Sequence, residues 1–114
     1  MSQDWRKKLL RKLKRWAEDR FPVAYPIRVY LRPSRQMRGH LGYFEFDDES
    51  ERGLIAVLDS LDHSSLIDTF LEEYAHARTT YLVDTEDTDE DPHHHASFWS
   101  EYGRLVKAAR EVTW

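Results

Sequence analysis

The sequence predicts one α+β domain covering residues 1–114, and three observations carry that reading. Apolar residues recur at helical spacing at the start of the chain and again from about residue 64 onward. Between these stretches they alternate at period two, and Pro and Gly mark the changes of regime. A chain of 114 residues can bury about two-thirds of its unfolded surface in one core, but it is too short for two domains.

Trp5, Leu9, Leu13 and Trp16 fall three or four residues apart, with Leu10 and Ala17 widening the stripe, so the chain is expected to open with an amphipathic helix. Ser2 suits its N-cap, Asp4 its positive end, and Pro22 and Pro26 its termination. Ile27, Val29 and Leu31 alternate with Arg28, Tyr30 and Arg32, the pattern of a strand with one buried face. A second strand is expected over Leu41 to Phe46 and a third over Leu54 to Leu58, joined by the polar turn from Asp47 to Gly53 into an antiparallel hairpin. The expected sheet is three-stranded and of antiparallel type. Helical period returns with Ile67, Phe70, Leu71, Tyr74 and Tyr81, capped by Ser64 or Ser65. Asp91 followed by Pro92 resembles an N-cap and first helical position, so a last helix is expected to carry Phe98, Trp99, Tyr102, Leu105, Val106 and Ala109 into the core.

Composition narrows the chemistry. Seventeen basic and 21 acidic residues leave a net charge of −4, unevenly spread. Met1 to Arg20 holds eight basic and three acidic residues, whereas Asp84 to Asp91 holds six acidic residues and no basic one. The acidic run reads as a solvated loop that either keeps the protein soluble or concentrates cations and basic substrates. It is not an EF-hand, since Pro92 stands where glycine belongs and Phe98 where the bidentate glutamate belongs. The basic helix face is a solvated surface or a weak nucleic-acid contact. No cysteine is present, which excludes disulfides, thiolate zinc sites, iron–sulfur clusters and a cysteine nucleophile, and fits a reducing, cytoplasmic setting. The apolar runs are far shorter than the roughly 18 residues a membrane span needs, and the first 20 residues lack a signal-peptide core. No membrane association is expected.

The chemistry concentrates in Glu72-Glu73-Tyr74-Ala75-His76 and His93-His94-His95. On a helix, Glu72 and His76 lie one turn apart on one face, flanked by Glu73, while Ile67, Phe70 and Tyr74 point elsewhere. Zinc accepts both donor types, and catalytic sites use three protein ligands. A third ligand is available from the histidine triplet if the last two helices pair antiparallel across the acidic loop. Without a third ligand, the glutamates and His76 are simply a solvated helix face. His40 and His63 have no partner at ligand spacing and receive no role.

These segments resemble the SprT-like metallopeptidases, the Spartan-type zincins. In that family an HExxH helix is followed by a third histidine in an HGxxF-like segment at the start of the next helix. Here EEYAH is followed by His94-His95-Ala96-Ser97-Phe98 and then Trp99, Tyr102, Gly103 and Arg104. The resemblance implies a minimal zincin-like domain with a Zn2+ ion, or another divalent metal, held by Glu72, His76 and His94. His95, which stands where the family has glycine, is the alternative third ligand. Glu73 takes the place of the general base that activates water, and a protein or peptide is the substrate. Glu72 replaces the first histidine of the family motif. Two histidines and one glutamate are themselves a catalytic zinc set, but a carboxylate ligand makes the bound water less acidic. The cysteine-based zinc ribbon of some relatives has no counterpart. A non-catalytic metal-binding or interaction module is the alternative, and a mononuclear iron protein a third reading, since the same ligand set suits non-haem iron.

Overall fold

The computed structural model describes residues 4–80 and 96–114. In chain order these form α1 (Asp4–Arg20), β1 (Ile27–Arg32), a 3-10 turn (Ser34–Gln36), β2 (Gly42–Asp47), β3 (Arg52–Leu58), α2 (His63–Thr79) and α3 (Ala96–Ala109). The protein is thus α+β. The expected Ser2 and Asp91–Pro92 caps, Tyr81 and the acidic run lie outside the described residues. No helix among the described residues is long and apolar enough to cross a membrane.

The sheet departs from the expected antiparallel type. Its order is β1-β3-β2, with β2 antiparallel to β3 and β1 parallel to it. The hairpin is as expected, with Gly42 opposite Val57 and Asp47 opposite Arg52. Its second strand, however, takes the centre of the sheet and receives β1 along its other side, from Ile27 opposite Gly53 to Arg32 opposite Leu58. The reason lies in β3 itself. Leu54 to Leu58 is a continuous apolar run, the signature of a strand covered on both faces, whereas β1 alternates. Residues 33–41 carry the chain from one edge of the sheet to the other. Met37 in this link and Ala56 in β3 are fully buried yet stand outside the main core.

The main core lies between the sheet and the helices. Leu9, Leu10, Leu13 and Ala17 of α1 join Ile27, Ile55 and Val57 of the sheet. Leu66, Phe70, Leu71 and Tyr74 of α2, and Phe98, Leu105 and Ala109 of α3, complete it. Each buried leucine or phenylalanine contributes about 1.5–3 kcal/mol. α2 packs on β2 and β3, α1 on β1 and α2, and α3 on α2. Two aromatic residues expected in apolar stripes face water in part. Trp99 is 54% exposed, and Trp5 is 41% exposed and stacks on His63. The cap of α2 is Asp62 rather than Ser64 or Ser65: its side chain accepts from the Ser65 backbone N–H at 2.8 Å. That bond holds the Asp62 carboxyl below its ordinary pKa.

Polar clamps tie α2 to the segment that leaves α1. The Tyr74 hydroxyl, buried, donates to the Phe21 carbonyl at 2.7 Å, and the Tyr25 hydroxyl donates to the Ala77 carbonyl. Tyr74→Phe should remove a buried donor and cost about 1–2 kcal/mol of stability, read as a lower denaturant midpoint at unchanged slope.

Candidate metal centre

Helix α2 carries two side-chain rows that matter, offset by one residue. Thr69 and Glu73, four apart, are both buried on the sheet side. A Cβ on Gly42 of β2 would come within 2.5 Å of the Thr69 methyl and 3.2 Å of the Glu73 Cγ. This close approach is the reason β2 starts with glycine. The second row is Asp68, Glu72 and His76, turned about 100° away and facing α3.

Contacts along that row show that α2 and α3 run antiparallel, as the proposed ligand set requires. Near the start of α2, the Tyr102 hydroxyl donates to Asp68 Oδ1. Two turns later the His76 ring stacks on Phe98, with centroids 4.3 Å apart and planes at 22°. Phe98 and Tyr102 are stacked in turn at 5.8 Å. Glu72 and His76 are partly buried against this aromatic wall. The Tyr102 hydroxyl has its pKa raised by burial first, then by its bond to Asp68, with the Glu72 charge a smaller contribution. At the far end of α2, Arg78 donates through Nε to Glu101 and through Nη1 to the Pro22 carbonyl at 2.7 Å. Arg104 donates to the other Glu101 oxygen at 3.1 Å. This bridge ties α3 to α2 beside the row.

Glu73 differs from its neighbour. It is 6% exposed, and its carboxyl is pushed up to about 7, first by burial and second by the Glu72 charge. No cation or hydrogen-bond donor among the described residues offsets either effect. Adjacent glutamates thus occupy different environments, one partly wet and one dry.

Glu72 and His76 share a face, and Glu73 lies beside them but turned toward β2. His93, His94 and His95 lie outside the described residues. Among those described, no group of three His, Asp or Glu side chains is arranged to hold a metal. Glu72 and His76 nonetheless have the donor chemistry of a zinc site, and stacking on Phe98 restrains the His76 ring as outer-shell contacts do around bound metals. Sequence reading alone did not anticipate the bond between Tyr102 and Asp68. The signal was available in the spacing of Asp68, Glu72 and His76 and in the matching step from Phe98 to Tyr102. Compared with protein-family models, curated proteins and solved structures, the chain matches none.

Two expectations follow from Glu73 and Gly42. Folding raises the Glu73 pKa from 4.5 to about 7, so between these values the folded protein retains a proton that the unfolded chain releases. Stability of the metal-free protein should therefore fall as pH rises from 4.5 to 7, by up to about 3 kcal/mol, and level off above. Glu73→Gln should flatten that slope in denaturation series across this range. Gly42→Ala should force α2 off the sheet and lower stability by about 1–3 kcal/mol in the same assay.

Proposed function

We propose that this protein is a small zinc-dependent peptidase domain of SprT-like type, in which Glu72, His76 and His94 hold the metal and Glu73 is the general base. The observation that carries the reading is the paired row on α2. Glu72 and His76 stand one turn apart against the aromatic wall of α3, with the dry carboxyl of Glu73 beside them. α3 begins at Ala96, directly after the triplet in sequence, and its Phe98 already touches His76. Zinc, when bound, would lower the pKa of its water and polarise a substrate carbonyl. Glu73 would accept the proton of that water and deliver it to the departing amine. A carboxyl titrating near neutrality is suited to both transfers. The absence of cysteine supports a reducing, cytoplasmic setting.

One observation favours the second reading, a metal-binding or interaction module without catalysis. Glu73 is 6% exposed and packed against Gly42, which restricts its access to a substrate.

Elemental analysis of untagged protein, joined to an assay of an unfolded protein substrate, tests both. The expected result is about one zinc per chain and slow hydrolysis. Glu73→Gln should abolish hydrolysis with zinc retained, and Glu72→Ala or His94→Ala should weaken zinc at least ~10-fold. Zinc without hydrolysis supports the second reading. A protein that neither carries nor takes up zinc ends the peptidase reading and reduces the second to an interaction module without metal.

A further inference from the structure

On the side of the sheet away from β2, strand β1 is an edge, and α1 runs beside it. Between them lies a groove of about 280 Å³, lined by Leu10, Val29 and Leu31 and walled by Lys7, Arg11 and Lys14. The three basic residues recur at four and three residues, so they form one stripe along α1. Lys14 is paired with Glu18 at 3.1 Å, while Lys7 and Arg11 have no acidic partner among the described residues.

The backbone of β1 supplies the second half of the surface. Pro26 and Arg32 direct their carbonyls to Gly53 and Asp59 beside β3. By the two-residue alternation of a parallel ladder, residues 28 and 30 also bond to β3. The N–H and C=O groups of Ile27, Val29 and Leu31 therefore face the free edge, and no described residue bonds to them.

We propose that this groove binds an extended peptide segment with acidic side chains at alternate positions, added as a fourth strand to the outer edge of β1. The edge offers donors and acceptors in alternation, which a peptide strand matches and a phosphate backbone, acceptor-only, does not. The floor is apolar, and the aromatic ring in the lining, Tyr30, is already covered by the Arg32 guanidinium at 5.3 Å. It is a poor platform for stacked bases. A second copy is disfavoured by like charge, because pairing two β1 edges would bring both basic walls and both sets of Arg28 and Arg32 together. Acidic residues at every second position would instead fall on the α1 side, facing Lys7 and Arg11. This interaction does not depend on the metal reading.

The experiment is fluorescence anisotropy of full-length protein, at low salt, with a labelled eight-residue peptide of alternating Glu and Thr. Saturable binding is expected, weakened at least ~5-fold by Lys7→Glu or Arg11→Glu, both at exposed positions. Binding should be lost when alternate peptide nitrogens on the pairing edge are methylated, which removes strand donors and leaves the charge intact. Lack of peptide binding overturns the proposal. So does equal binding of the methylated peptide, which would show charge attraction alone. Tighter binding of a labelled eight-nucleotide oligothymidylate would overturn it in favour of a nucleic-acid surface.

Discussion

Where α2 crosses the first residue of β2 there is no room for a side chain, and this contact sets the rotation of the central helix. With Thr69 and Glu73 pressed against Gly42, the row one residue earlier must point about 100° away. That row is Asp68, Glu72 and His76, and α3 packs against it through Phe98 and Tyr102. A different seating of α2 would turn the same residues toward the sheet or toward open solvent. The polar clamps from Tyr74 and Arg78 to the Phe21 and Pro22 carbonyls, and from Tyr25 to the Ala77 carbonyl, oppose such a turn.

The same seating separates two residues that are chemically identical. Glu72 keeps partial access to water, whereas Glu73 is desolvated and holds its proton to near neutral pH. Two carboxyls with divergent environments are the usual basis for dividing acid, base and ligand roles in a site. Here the difference comes from one residue step on a helix, with no ion pair at Glu73 among the described residues. The Arg78–Glu101–Arg104 bridge stands at the outer end of the row, where it fixes the helix pair and leaves Glu72 without a cationic partner among the described residues.

Sheet order gives the two edges opposite characters. The β2 edge lies under α2 and beside the glutamates, and the β1 edge lies beside the basic face of α1. The uneven charge of the first 20 residues thereby acquires a place: three of the basic residues flank a strand edge to which no described residue bonds. Lysine and arginine beside an edge also discourage edge-to-edge self-association.

Periodicity made each described helix and strand legible, with β1 found over the same residues, because local spacing reports which face is buried. It also identified Glu72 and His76 as a facing pair, since that follows from helical geometry alone. Strand order was not legible in the same way. The hairpin was apparent from its short turn, but parallel pairing of β1 with β3 depends on a link that carries the chain across the sheet, and only the unbroken apolar run of β3 hinted at it. The burial of Glu73, the outward turn of Trp99 and the roles of Asp68 and Tyr102 were likewise decided by tertiary packing. The amino-acid sequence by itself determined the elements, their amphipathic faces and the uneven charge. The rotation of α2 on the sheet, and therefore which glutamate is wet and which is dry, was decided only when the helix met Gly42, because desolvation depends on what lies across a contact rather than on a residue's neighbours along the chain.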